Sequence, residues 1–208
     1  MLYNFHDLVQ KHNMNLKGVL HIGAHECEEL PLYETYLSRD KIIWIDALPE
    51  KIDFAKNAFP GIQIIEAAVS DTETEATFYR ANNGQSSSLL EMDTHRHHYP
   101  HIFYVNEFKL TTKRVDNLLK ENYPDFSFNF INLDIQGMEL PALKGMESYL
   151  ENVDYIYTEV NLESLYKGAT IVDELDDYLN KFGFVMMEKA ITEYQWGDVL
   201  YVKQKQQT

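Results

Sequence analysis

Apolar positions along this chain alternate between short, nearly continuous runs and longer stretches with helical spacing. Residues 17–23, 41–46, 62–69, 128–134 and 155–160 form the short runs. Consecutive apolar positions of this kind suit strands of a parallel sheet covered on both faces. Residues 26–37, 49–59, 138–150 and 171–182 read as helices between them. The first has acids in its opening turn, where they complement the helix dipole. The second starts at Pro49 and stops before Pro60 and Gly61. In the third, Leu140, Leu143, Met146 and Leu150 share a side, and Pro141 is early enough to be tolerated. The fourth aligns Ile171, Leu175, Tyr178, Leu179 and Phe182. An amphipathic N-terminal helix within residues 1–15 places Leu2, Phe5, Leu8 and Val9 together.

Strands alternating with helices predict a doubly wound α/β sheet with right-handed crossovers. The tail departs from this rhythm: residues 184–189 and 199–203 are strand-like with no helix between them, so they pair antiparallel. Residues 81–113 lack periodicity and are expected to form a functional loop beside the substrate. No repeat or linker interrupts the chain, which reads as a single domain over residues 1–208.

Composition narrows the class. At 208 residues, 45% hydrophobic and 25% charged, the chain can bury a substantial core. A formal charge of −15 opposes binding to phosphate backbones and anionic membranes. The densest basic run, Lys109 to Arg114, is flanked by Glu107 and Asp116. Cys27 is the single cysteine, which excludes an intramolecular disulfide and fits a reducing compartment. The start of the chain lacks a signal-peptide pattern. No apolar run approaches the roughly 20 residues of a membrane span. A soluble, cytoplasmic protein with neither nucleic-acid nor membrane partners is expected. The pattern assigns no oligomeric state.

In such a sheet, ligands bind beyond the carboxyl ends of the strands. Gly23 ends the first run and permits a tight turn with close ligand approach. Asp46 ends the second, at a spacing near the roughly 20 residues typical of an acid that accepts from ribose hydroxyls. The pair points to an adenosine-containing cofactor; the alternative is a plain turn and a helix cap. A nicotinamide dinucleotide would need G-x-G-x-x-G against its pyrophosphate. Here Gly23 is followed by Ala24, His25, Glu26, Cys27, Glu28 and Glu29. These acids repel a pyrophosphate and suit a sulfonium and an α-amino group, favouring S-adenosylmethionine over NAD. An NAD-linked oxidoreductase and a non-catalytic cofactor-binding protein remain the competing readings.

Several segments then become specific: HIGAHECEE (21–29), WIDALPE (44–50), EAAVSD (66–71), SSSLL (86–90), VDNLL (115–119), INLDIQGMELPALKGM (131–146), YTEVN (157–161) and WGDVLYVK (196–203). With these segments the chain resembles the FkbM family of S-adenosylmethionine-dependent methyltransferases, from Val19 to Val202. The resemblance implies a Rossmann-like class I methyltransferase fold, a mostly parallel sheet of about seven strands ending in an antiparallel hairpin. It also implies O-methylation of a hydroxyl on a sugar, glycan or small natural product. His21 and Cys27 stand where methyltransferases usually carry an acid and a second glycine.

Carried over by position, the resemblance has His21, Gly23, Ala24 and His25 lining the methionine part, and Glu28 holding its ammonium. Asp46 takes the ribose, Ala68 and Val69 flank the adenine, and Ser70 or Asp71 lies near its amino group. Asp134 points at the place of methyl transfer, and Glu159 and Asn161 face the same cleft. Methyl transfer to a hydroxyl needs in-line alignment and a proton acceptor. Asp134 is the first choice of base and Glu159 the second, the alternative being that Asp134 holds the cofactor or caps a helix. Asp134, Glu159 and Asn161 could also hold Mg²⁺ as oxygen ligands, but no metal is assigned. His95, His97, His98 and His101 are read as part of a loop over the substrate, with His98 at the acceptor. Ser87 and Ser88 fall in the family's serine segment beside the active site. Tyr99, Phe103, Tyr104 and Tyr166 could stack on an acceptor ring or pack internally.

Overall fold

The computed structural model describes residues 1–204. From the N-terminus its elements are α1 (Phe5–Lys11), β1 (Val19–Ile22), α2 (Leu30–Tyr33), β2 (Ile42–Asp46), α3 (Pro49–Ala58), β3 (Gln63–Glu66), β4 (Glu75–Ala81), α4 (His95–His98), β5 (Tyr104–Thr111) and α5 (Val115–Asn122). There follow β6 (Phe130–Leu133), α6 (Glu139–Lys144), β7 (Tyr155–Asn161), α7 (Val172–Asn180), β8 (Phe184–Ile191) and β9 (Trp196–Lys203).

The expected sheet is present, with seven strands in the order β3-β2-β1-β6-β7-β9-β8. The first five run parallel. β9 is antiparallel to both β7 and β8, so the tail forms the expected antiparallel pair. The later strand, β9, is the one inserted beside β7, which sets Asp198 opposite Glu159.

Alternation along each strand fills two cores. Leu20, Ile22, Ile43 and Ile45 pack with Leu118, Leu143 and Leu179 of α5, α6 and α7. Val19, Ile42, Trp44 and Phe130 face the other way, against Phe5, Leu30 and Ile52 of α1, α2 and α3. Successive strand residues point to opposite faces, so a continuous apolar run is what a two-sided burial requires. Among the described residues no helix is long and apolar enough to cross a membrane.

Four expectations are corrected. The helix over 26–37 shrinks to the single turn α2, because His25 (φ 44°) and Cys27 (φ 58°) take left-handed backbone that ends helical hydrogen bonding. The helix over 138–150 stops at Lys144 and resumes as a 3₁₀ turn over Glu147–Asn152, since Met146 (φ −135°) leaves the helical region. The loop over 81–113 contains α4 and β5, and β5 pairs antiparallel with β4 in a separate two-stranded sheet. In β5, Tyr104, Phe108 and Leu110 share a half-buried face, but polar Asn106 on that face and apolar Val105 on the exposed one break the apolar alternation along the sequence. The N-terminal helix ends at Lys11; the Asn4 side chain caps it by accepting from the amides of His6 and Asp7. Leu2 therefore lies outside the helix.

Candidate active site

The carboxyl ends of β1, β2 and β6 bring Gly23, Asp46 and Asp134 around a cleft of about 570 Å³. Gly23 is held at φ +89°, and a Cβ there would lie 1.8 Å from the main-chain oxygen of Asp134. Only glycine lets the turn press this closely on β6. Asp46 Oδ2 accepts from the His25 amide at 2.7 Å, and Oδ1 accepts from the Leu48 amide at 2.8 Å. Burial raises its carboxyl, and those two amides work against the rise. Each oxygen retains capacity for a second bond, as a ribose diol would require. Leu48, Ala67, Ala68, Val69, Phe78 and Leu89 supply an apolar wall beside it.

A wider cavity of about 1410 Å³ shares Gly23, His25 and Asp134 with the first and continues toward the ends of β7 and β9. Glu28, Glu29, Asp134, Glu159 and Asp198 line it, and among the described residues no lysine or arginine does. Gln136 joins two of these acids: its Nε2 donates to Asp134 Oδ1 at 2.7 Å and to Glu159 Oε2 at 3.0 Å. Its Oε1 accepts from the Tyr166 hydroxyl at 2.6 Å. Gln136 itself sits at φ 55°, a left-handed conformation held by these contacts.

Electrostatics separate the carboxylates. Asp134 is exposed to the cleft yet lies deep within the protein, and burial first, then the charge of Asp198, raises its carboxyl. Glu159 is sealed, and burial followed by the charges of Asp134, Glu139 and Asp198 lifts it well above the carboxylate range. Asp198 accepts from the Tyr157 hydroxyl and the Leu2 amide, both at 2.5 Å. Glu139, 1% exposed, accepts from the amides of Ile135 and Gly137 at 3.1 Å each and so fixes the loop after β6. Burial pushes it up to about 7.

The predicted residues fall into place unevenly. Ala68 and Val69 line the smaller cleft, whereas Ser70 and Asp71 line neither cavity. Ala24 is sealed in the core; its amide bonds the Ile45 carbonyl, so it shapes the turn without lining either cavity. His21 borders the wider cavity but is buried, stacked on Trp44 at 4.6 Å, with Nδ1 3.2 Å from the Tyr33 hydroxyl. Burial lowers it to about 3, so the ring is neutral. Glu28 Oε1 meets His25 Nδ1 at 2.6 Å. Burial disfavours its charge, but the His25 contact and backbone amides prevail and hold the carboxyl below its usual range.

Ser87 and Ser88 line the smaller cleft, not the wider cavity. Ser88 Oγ donates to the Gln136 carbonyl at 2.9 Å, and Ser87 Oγ accepts from the Ala81 amide at 3.0 Å. His98 lines neither; its Nε2 is 3.1 Å from Glu163 Oε1, and His95 takes the place at the cavity expected of it. The reason is the short helix α4, which turns His95 inward. Asn161 is fully sealed and borders neither cavity, because β9 and the bridge to Ile171 cover it. Asp134, Glu159 and Asn161 thus do not assemble as an ion-binding trio. Among the described residues, the acidic and histidine side chains whose donor atoms converge are His25, Glu26 and Glu28. Lys51 Nζ already pairs with Glu26 there at 2.5 Å.

Sequence reasoning missed Asp198, Trp196, Gln136 and His95 as cavity residues. A signal for Asp198 and Trp196 was present in the 196–203 segment, but their role depends on β9 entering the sheet beside β7. Of the four aromatics considered for stacking, only Tyr99 lines the cavity.

Comparison with known proteins agrees with this architecture. The family model for the methyltransferase FkbM domain matches residues 21–186. A 2-O-methyltransferase, NoeI, of Sinorhizobium fredii is 26% identical over 146 residues, covering 67% of this chain. The match spans 58% of that relative's length. Among solved structures, magnesium protoporphyrin IX methyltransferase from Synechocystis PCC 6803 with bound SAM superposes with a TM-score of 0.51 and 10% identity. That superposition covers 95% of this chain and 74% of the other. The N-methyltransferase NodS of Bradyrhizobium japonicum WM9 gives a TM-score of 0.50 at 8% identity, covering 96% and 94%.

Proposed function

The chain belongs to the FkbM methyltransferase family, and from that premise we propose that it moves a methyl group from S-adenosylmethionine to a hydroxyl of a sugar, glycan or other small polyhydroxylated acceptor. It is an S-adenosylmethionine-dependent methyltransferase by family and fold. The acceptor reading draws on the 2-O-methyltransferase relative and on a roomy polar cavity next to the cofactor cleft. One observation carries the assignment of the two ends: Gly23 and Asp134 border both cavities, so the reacting methyl belongs where they meet.

The residues fit the cofactor. Asp46 offers two carboxylate oxygens to the ribose, the wall from Ala67 to Val69 takes the adenine, and the glycine cradle at Gly23 admits the methionine part. The acids of the wider cavity suit a sulfonium and an ammonium. S-adenosylmethionine supplies an electrophilic methyl whose transfer breaks a carbon–sulfur bond and forms a carbon–oxygen bond. The chain's own part is to align the acceptor oxygen behind that methyl and to take its proton. Asp134, open to the cleft and raised in basicity, takes the proton. Glu159, sealed and raised by burial and the neighbouring acids, orients Asp134 through the Gln136 amide they share.

The test is release of S-adenosylhomocysteine with a panel of neutral glycosides and polyols, alongside calorimetric binding of the cofactor. Turnover on a hydroxylated acceptor, abolished by Asp134→Asn, supports the reading. Cofactor binding with no turnover on any acceptor favours a non-catalytic binding protein. Preference for NAD would refute the cofactor assignment.

A further inference from the structure

The wider cavity holds more negative charge than the cofactor offsets. S-adenosylmethionine carries a sulfonium, an ammonium and a carboxylate, a net of one positive charge, and the Met1 amino terminus adds one more, against Glu28, Glu29, Asp134, Glu159 and Asp198. Of the histidines at the cavity, burial lowers His21 to about 3 and His95 to about 4, leaving both rings neutral, and His25 is already paired with Glu28 at 2.6 Å. A cleft with walls of one sign concentrates ions of the other. Burial first, then mutual repulsion among the acids, raises the carboxyls of Asp134 and Glu159, and at Asp134 the Gln136 amide and the Met1 amino terminus work against the rise.

A second observation is independent of charge. His95 is 5% exposed and borders the cavity, and its Nδ1 is buried without a hydrogen-bond partner among the described residues. Buried polar groups are rarely left unpaired unless a ligand or water completes them. Beside it, the Trp196 indole donates to the Tyr99 hydroxyl at 2.9 Å, fixing two aromatic rings on the same wall. Aromatic faces attract cations and pack against sugar rings.

Resting on the methyl-transfer reading above, we propose that the acceptor subsite selects hydroxylated acceptors bearing a protonated amine, such as amino sugars, and turns away phosphorylated or carboxylated ones. The ammonium is held by Asp198 and Glu159, register partners on β9 and β7, whose side chains share a face of the sheet. The hydroxyl lies toward Asp134 and His95. The amine is a recognition group and is not itself methylated.

Three matched probes test this: methyl glycosides of glucosamine, glucose and glucuronic acid, titrated calorimetrically into protein loaded with S-adenosylhomocysteine, at a pH where the amine is protonated. The amine probe should bind at least about tenfold tighter than the neutral one, with the acid weakest. The preference should narrow at high salt. Asp198→Asn should reduce the amine-to-neutral ratio to about threefold or less, and Asp198→Glu should keep it. The ratio compares two ligands on one protein, so poor folding of a variant lowers both affinities alike. Equal affinity for amine and neutral probes, no binding of the amine probe, tightest binding of the acid, or methyl found on nitrogen would each overturn the proposal. Selective amine binding with no methylation of any probe would instead count against hydroxyl methylation and uphold the charge preference.

Discussion

Replacing Gly23 by alanine separates two reasons why this turn needs glycine. One is the backbone itself, at φ +89°, which L-residues adopt at a penalty of roughly 1 kcal/mol. The other is space. A Cβ would sit 1.8 Å from the Asp134 oxygen and 2.7 Å from its carbonyl carbon, well below the 3.0 Å that real Cβ atoms respect. Those neighbours are backbone at the end of β6 and cannot swing aside. Gly61 provides the control, with φ +87° and nothing within 4 Å of its virtual Cβ. Gly61→Ala should therefore lose about 1 kcal/mol of stability through backbone strain alone. Gly23→Ala should lose about 2–4 kcal/mol, overpacking adding to the same strain. Urea unfolding of both variants gives the comparison, provided each transition is two-state. Displacement of Asp134 should also weaken S-adenosylmethionine binding at least about a hundredfold in Gly23→Ala, since a backbone shift of this size dislodges both ends of the cofactor cleft. Equal destabilisation by the two alanines, with cofactor affinity of Gly23→Ala near wild type, would refute the claim that Gly23 is a cradle.

Further outcomes follow from the same geometry. The folded-state value of Glu139 is about 7 against an ordinary 4.5, so its folded form holds a proton that the unfolded chain releases. Wild-type stability relative to Glu139→Gln should then fall as pH rises from about 4.5 through 7, by up to about 3 kcal/mol, measured by urea titrations across that range. A constant difference would show that Glu139 does not titrate in that window. Asp46→Asn should weaken cofactor binding by about 10–100-fold in calorimetry, through loss of one charge-assisted acceptor. Asp134→Asn should lower turnover by about a hundredfold or more while changing cofactor affinity less than tenfold. His95→Gln should lower turnover by about tenfold or more, whereas His98→Gln, whose partner is Glu163 away from both cavities, should stay within about twofold. Comparable losses at the two histidines would contradict the inward turn of α4.

The strands were legible because burial on both faces demands unbroken apolar runs, and β1, β2, β6 and β7 each carry one. Ile42 to Ile45 shows the logic: Ile42 and Trp44 fill one core, Ile43 and Ile45 the other. Gly23, Asp46 and Asp134 were legible for a related reason. In a doubly wound sheet, position at a strand's carboxyl end fixes which side chains meet a ligand. Local backbone was less visible. Nothing in the pattern showed that His25 and Cys27 would adopt left-handed conformations and reduce a helix to one turn. β5 was missed because its half-buried face carries polar Asn106 between Tyr104 and Phe108, and its exposed face carries apolar Val105, so the alternation is broken along the sequence.

Sequence alone thus determined the fold class, the family and which strand ends border the smaller cleft, all of which depend on local pattern or on strand order. Tertiary structure decided the lining of the wider cavity. Asp198 enters the cavity only because β9 slots between β7 and β8, and His95 rather than His98 does so only because α4 turns it inward. Asn161 is excluded because the same inserted strand seals it. Long-range pairing brings residues tens of positions apart into one cavity, and spacing along the chain does not encode that convergence.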